Sequence, residues 1–131
     1  MFKVLTSLFL ATLLAAPLAL RAETTLMMAE EPGCIWCARW NDEIGPIYPK
    51  TGEGAAAPLR RVDITNPIPE DITLARSVNF TPTFVLLVDG TEVSRLEGYP
   101  GEDFFWGLLG KMLTDHNISF DVIEAVESEA L

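Results

Sequence analysis

Apolar residues dominate positions 4 to 20, and from residue 23 the pattern breaks into short runs separated by turn-forming residues. "TTLMMAE" (24 to 30) is a β-prone apolar run ending at Glu31-Pro32-Gly33, so it predicts a strand and a turn. In "CARWNDEI" Cys37, Trp40 and Ile44 share one side of a helix, which should stop at Gly45-Pro46. "YPKTGEGAAAP" reads as loop and "LRRVDI" (59 to 64) as a second strand, and Glu70 to Val78, after Pro67 and Pro69, as a short helix. "TPTFVLLVDGTEVSRLEG" is a hairpin about Asp89-Gly90, and its unbroken Phe84 to Val88 run predicts a central strand covered on both faces. "GEDFFWGLLGKMLTD" (101 to 115) sets Phe104, Phe105, Leu108, Leu109 and Met112 at helical spacing, so a last helix should lay them on the sheet. The expected order is β-α-β-α-β-β-α, an α/β fold with a mixed four-stranded sheet flanked by helices.

Lys3 ahead of an apolar run that Pro17 interrupts reads as a secretory leader over residues 1 to 22, with cleavage near Ala22. The run is shorter than the roughly 20 residues of a spanning helix. A domain is expected over residues 23 to 116, followed by an acidic tail over 117 to 131. Val122, Ile123 and Val126 of that tail suit either a docked partial helix or a mobile end. Of the chain's 9 basic and 19 acidic residues, only the basic Lys3 and Arg21 leave with the leader, which deepens the net charge of −10. A face that binds phosphate must be basic, so nucleic acid is excluded as a partner.

Cys34 and Cys37 are the only cysteines. A disulfide across so short a loop would contribute only about 2 kcal/mol by chain entropy, which argues against a purely structural staple. Structural zinc needs four ligands, and only His116 could join the two thiols. Haem attachment needs a histidine after the second cysteine, where Ala38 stands. Copper(I) remains open, with two thiolates and Met27 or Met28 as soft donors. Redox chemistry explains the spacing directly: Cys34 opens a helix, where free N–H groups and the dipole favour a thiolate, and Cys37 lies one turn beneath it. A thiol titrating at about 6.5 instead of ~8.5 is about 75% thiolate at pH 7. Weaker nucleophilicity offsets most of that gain, so the larger benefit is a better leaving group. Glu30 and Glu31 would oppose thiolate formation if they approach Cys34, which favours a reductant over a strong oxidant.

Three features together resemble the thioredoxin-fold proteins: Cys34-x-x-Cys37 at a helix start, Thr81-Pro82-Thr83 before a central strand, and Gly98 at the end of the hairpin. The resemblance covers residues 24 to 115. "EIGPIYPKT", "APLRRVDI" and "EGYPGEDFFWGLL" are similar to small exported thioredoxin-like proteins of proteobacteria, among them the regulatory thioredoxins of sulfur-oxidation systems. The resemblance implies a periplasmic thiol:disulfide oxidoreductase, mainly a reductase, without cofactors. Its partners would be a protein with an exposed cysteine, such as a sulfur-carrier protein, and a membrane thiol electron donor of the CcdA type. A disulfide oxidase or isomerase and a copper(I) chaperone are the alternatives. Gly33 and Ile35-Trp36 depart from the usual Trp-Cys-Gly-Pro-Cys turn, and Met28 stands where thioredoxin keeps a buried acid.

Beyond Cys34 and Cys37, a proline turning into a central strand is a common place for a cis bond, so Thr81-Pro82 is expected to be cis. The resemblance places Pro82 facing the cysteines, with the Thr81 backbone free to pair with extended substrate. Gly98 and Tyr99 would form the other wall, although Tyr99 equally suits a half-buried ring. Trp36 is expected as an exposed contact beside Cys34. Trp40, Phe104, Phe105 and Trp106 are expected in or at the edge of the core, and His116 in solvent.

Overall fold

Leu26 to Ala29 of strand β1 (Thr24–Glu30) are buried without a break, because β1 is central and covered on both faces. It pairs in parallel with β2 (Leu59–Asp63) and antiparallel with β3 (Thr83–Val88), and β3 pairs antiparallel with β4 (Thr91–Glu97). The sheet order β2-β1-β3-β4 is the expected mixed four-stranded, thioredoxin-like sheet. These features belong to a computed structural model that describes residues 20–121. Most of the expected leader, and Val122, Ile123 and Val126 of the tail, lie outside the described residues.

Helices α1 (Ile35–Glu43) and α3 (Glu102–Asp115) cover one face of the sheet. Trp40 sits at the centre of that core, its ring centroid 5.3 Å from Phe84 and 5.7 Å from Phe105. Helix α1 ends as expected at Ile44, whose N–H donates to Trp40 O at 2.8 Å ahead of Gly45-Pro46. The core-facing side of α3 is rotated from the expected one. Phe105, Leu109, Met112 and Leu113 are buried, Leu108 is partly exposed, and Phe104 is 69% exposed. Neighbouring Phe104 and Phe105 point about 100° apart on a helix, and the sheet accepts only one of them.

Two connections also differ from expectation. "YPKTGEGAAAP" holds a 3-10 turn (Tyr48–Lys50) and a short helix α2 (Gly52–Ala56), capped by Thr51 Oγ1, which accepts from Gly54 N at 3.0 Å. Its glycines serve close approach: a Cβ on Gly54 would lie 1.9 Å from Tyr48 O. Conversely, the helix expected over Glu70 to Val78 is absent. Apart from one local turn bond, Ile72 N to Pro69 O, the backbone there pairs with the start of β4 and the turn before it, with Thr73 N donating to Gly90 O at 2.8 Å and Glu92 N to Thr73 O at 2.9 Å. This irregular segment, residues 64 to 82, carries Ile64, Ile68, Ile72, Leu74 and Val78 onto the sheet's second face, over Met27, Ala29, Val62, Val85 and Leu87.

Past α3, Ile118 and Phe120 pack against the helical core. The second face is pinned by a buried ion pair. Arg95 Nε lies 2.6 Å from Glu92 Oε1, with both side chains nearly inaccessible. Hydrogen bonds from Arg95 hold the Glu92 carboxyl below its ordinary range, outweighing the opposite push of burial.

Phe105→Ala should cost about 3–5 kcal/mol, the usual penalty of a large core truncation. Phe104→Ala on the same helix should stay within about 0.5 kcal/mol in urea unfolding, as surface changes do. Because Glu92 is depressed in the folded state, its stabilisation is present above the unfolded value of about 4.3 and is lost as pH falls through the folded one. The double variant Glu92→Met/Arg95→Met should therefore show a shallower fall in Tm on acidification below about pH 4.3 than the parent protein.

Candidate active site at the Cys34–Cys37 disulfide

Strand β1 delivers the chain to Glu31-Pro32-Gly33, and Gly33 takes φ +80°, a conformation that suits glycine. Cys34 is then the N-cap of α1, with extended backbone, and its Sγ accepts the Cys37 N–H at 3.1 Å. That N–H is one of the donors that a helix start leaves without an internal partner. Directed at sulfur, it stabilises negative charge there once the thiol ionises. The two sulfurs are bonded to each other, with Cα atoms 5.2 Å apart. Cys34 is half-buried, whereas Cys37 is 4% exposed and belongs to the helical core. Between them Ile35 and Trp36 stand open to solvent, Trp36 at 48%.

The residues just before β3 come next to the cysteine turn through a side-chain bond. The Thr81–Pro82 peptide is cis, and Thr81 Oγ1 donates to Glu31 Oε1 at 2.8 Å, tying this lip to the turn before Cys34. Pro82 O accepts from Gly98 N at 2.7 Å. Gly98, at φ +87°, ends β4 beside it. The cysteine turn, Thr81, Pro82 and Gly98 are thereby joined by two hydrogen bonds at one end of the sheet.

Tyr99 turns inward and is more deeply buried than the half-buried ring the sequence suggests. Its hydroxyl donates to the Glu43 carboxylate, whose other oxygen accepts from Arg39 Nε at 2.8 Å. Burial, reinforced by Glu43, pushes the Tyr99 hydroxyl well above its ordinary range. The bonds from Tyr99 and then Arg39 hold the Glu43 carboxyl below its own. Arg39 also lies over the Trp36 ring, 5.7 Å from its centroid. A chain of contacts therefore runs along α1 from the exposed tryptophan to the loop after β4.

His116 lies apart from this site, half-buried just past α3, at a cleft of about 590 Å³ shared with Thr24, Val88 and Phe120. Met27 and Met28 are fully buried on opposite faces of β1, and only Met28 shares a core with Cys37. Arg61 Nη1 approaches the Met28 sulfur at 3.6 Å, bonds Glu30 at 2.8 Å, and its guanidinium also lies over Trp40. Among the described residues no group of three or more His, Cys, Asp or Glu is placed to hold a metal ion.

Three contributors escape sequence reasoning. Phe80 is 63% exposed at the lip, and its carbonyl accepts from Thr83 Oγ1 at 2.7 Å. Its place outside every apolar period, just before Thr81-Pro82, was the available signal. The Glu31 contact with Thr81 and the Glu43 contact with Tyr99 span 50 and 56 residues and leave no local mark.

Neither a family model nor a curated protein matches the chain. A solved structure does: the periplasmic thioredoxin SoxS from Paracoccus pantotrophus, in its reduced form, is 53% identical over 72% of this chain and 99% of its own, with a TM-score of 0.70. With that identity across the described fold, and with the paired cysteines at the head of α1, the chain belongs to the SoxS-type thioredoxins and is a thiol:disulfide oxidoreductase.

Proposed function

We propose that this protein is a periplasmic reductase of partner-protein disulfides, in which Cys34 attacks and Cys37 resolves. The observation that carries the reading is the half-buried Cys34 sulfur at the helix start, accepting the N–H of a buried Cys37. In the reduced protein the Cys34 thiolate attacks one sulfur of a substrate disulfide. A Cys34–substrate bond forms, and the other substrate sulfur leaves as a thiolate and takes up a proton. Cys37 then loses its proton and attacks Cys34 Sγ, releasing the second substrate thiolate and closing the Cys34–Cys37 disulfide. Two electrons have moved to the substrate.

The periplasmic assignment follows the leader-like first 22 residues and the compartment named for the Paracoccus relative. Restoring the dithiol in an oxidising compartment needs two electrons from another dithiol, for which a membrane thiol transporter of the CcdA type is the proposed donor. Trp36, Thr81, Pro82, Gly98 and Tyr99 are the proposed substrate-binding residues. Thr81 and Gly98 would offer backbone to an extended chain, and the inward ring of Tyr99 leaves it the same role. A cysteine on a flexible segment suits such a groove, and a sulfur-carrier protein is the proposed partner. The copper(I) alternative is weakened by geometry, since Met27 faces away from the cysteines and Met28 has a guanidinium at its sulfur.

Iodoacetamide should modify Cys34 before Cys37 in the reduced protein near neutral pH; the reverse order would overturn the nucleophile assignment. Cys37→Ser should accumulate a mixed disulfide with an exported protein in the native host, because serine cannot expel the substrate thiol. Cys34→Ser should trap nothing. A reduction potential near that of disulfide oxidases, about −120 mV, would reverse the proposed direction. Failure of Cys37→Ser to capture any protein, together with tight copper(I) binding by the reduced parent, would replace the reductase with a chaperone.

A further inference from the structure

Residues 92 and 95 of a regular strand lie on opposite faces, yet Glu92 and Arg95 meet on the same one. The cause is a bulge in β4. Ser94 pairs with Leu86 and Glu92 with Leu87, so Val93 is an extra residue that re-phases the strand. Both charged groups are thereby turned under the 64–82 segment, with Arg95 6% and Glu92 4% exposed. They meet as a fork, Nε to Oε1 at 2.6 Å and Nη2 to Oε2 at 2.7 Å.

Beyond the fork, and a longer approach of Arg95 Nη1 to Glu97 Oε1 at 3.7 Å, the pair bonds three consecutive residues of that segment. Ala75 N donates to Glu92 Oε2 at 2.7 Å, while Arg95 Nη2 donates to Arg76 O at 2.8 Å and Nη1 to Ser77 O at 3.2 Å. The Arg76 side chain is tied to β4 as well, through Glu97 at 2.5 Å. Three residues further on, the chain presents Phe80 to solvent and enters the Thr81–Pro82 lip. Beyond this point the lip is held by Thr83 Oγ1 on the Phe80 carbonyl and by Thr81 Oγ1 on Glu31. No helix supports the approach to the lip, and the buried fork takes that place. An ion pair is costly to bury and gives little net stability over apolar residues of its size, so its value here lies in the backbone it fixes.

We propose that Arg95, oriented by Glu92, is a positioning residue that fixes the Phe80–Pro82 lip beside the cysteines, and that the exposed Phe80 ring takes up an apolar side chain next to the partner's cysteine. The proposal rests on the reading of the lip as the substrate edge. Arg95 makes no hydrogen bond to either cysteine, so its loss should weaken engagement of a protein disulfide more than the exchange itself.

The test uses the full protein with insulin as the protein disulfide, dithiothreitol as electron donor, and 5,5′-dithiobis(2-nitrobenzoate) as a small disulfide that needs no lip. Glu92→Met/Arg95→Met removes the fork and leaves no unpaired buried charge. It should raise the KM for insulin about fivefold while kcat changes less than about twofold. Arg95→Lys keeps the cation but loses the fork, and should fall between this variant and the parent. An unchanged KM in the folded double variant would overturn the positioning role of Arg95. So would a parallel loss of kcat, small-disulfide rate and Tm, which marks a merely structural role. Phe80→Ala separates the two layers: a raised KM there with an unchanged one in the double variant rejects Arg95 alone. An unchanged KM in Phe80→Ala rejects the lip reading and the proposal with it.

Discussion

A sulfur atom caps the active-site helix. Helix starts leave backbone N–H groups without partners, and an oxygen side chain usually takes one of them. Here Cys34 Sγ accepts the Cys37 N–H, so the group that starts the helix is one half of the redox pair. The rest of the molecule meets the needs of that cap. Glu31-Pro32-Gly33 turns the chain out of β1 at the right place, Trp40 anchors the helix in an aromatic core, and Glu43 fastens its far end to Tyr99. A helix free to roll or slide would move the sulfur away from the lip.

The lip and the cysteine turn come from segments 50 residues apart, joined by one hydrogen bond between Thr81 and Glu31. Glu31 therefore has a structural part in the candidate site, since its carboxylate ties the turn before Cys34 to the residues that enter β3.

Much of this was legible in the residues. Unbroken apolar runs marked β1 and β3, Asp89-Gly90 marked the hairpin, and Cys34-x-x-Cys37 with Thr81-Pro82 marked the site, because each signal is local. The hidden parts depend on contacts between distant segments. Gly52 and Gly54 read as part of a loop, yet they sit in a short helix where neighbouring backbone leaves no room for a Cβ. Ile72 and Leu74 looked helical, but Thr73 between them bonds to Gly90 and Glu92 across the chain instead of along a helix. Phe104 matched the period of the last helix and still faces solvent, because period alone does not fix which side meets the sheet. The pairing of Glu92 with Arg95 was hidden by a single bulged residue that shifts strand parity.

The two faces of the sheet are covered in different ways, and this bears on how the molecule opens. Helices α1 and α3 lie on one face with their backbone bonds internal to each element. The segment on the other face has no such ladder and depends on scattered bonds to β4 and a small apolar cluster. Amide protection scales with the cooperativity of the unit that must break. By that argument the amides of α1 and α3 should exchange more slowly than those of residues 64–82, whose ties to the sheet include the Glu92–Arg95 fork. Hydrogen exchange would then divide the candidate site along its length, with the helix that carries the sulfur on one side and the entry to β3 on the other.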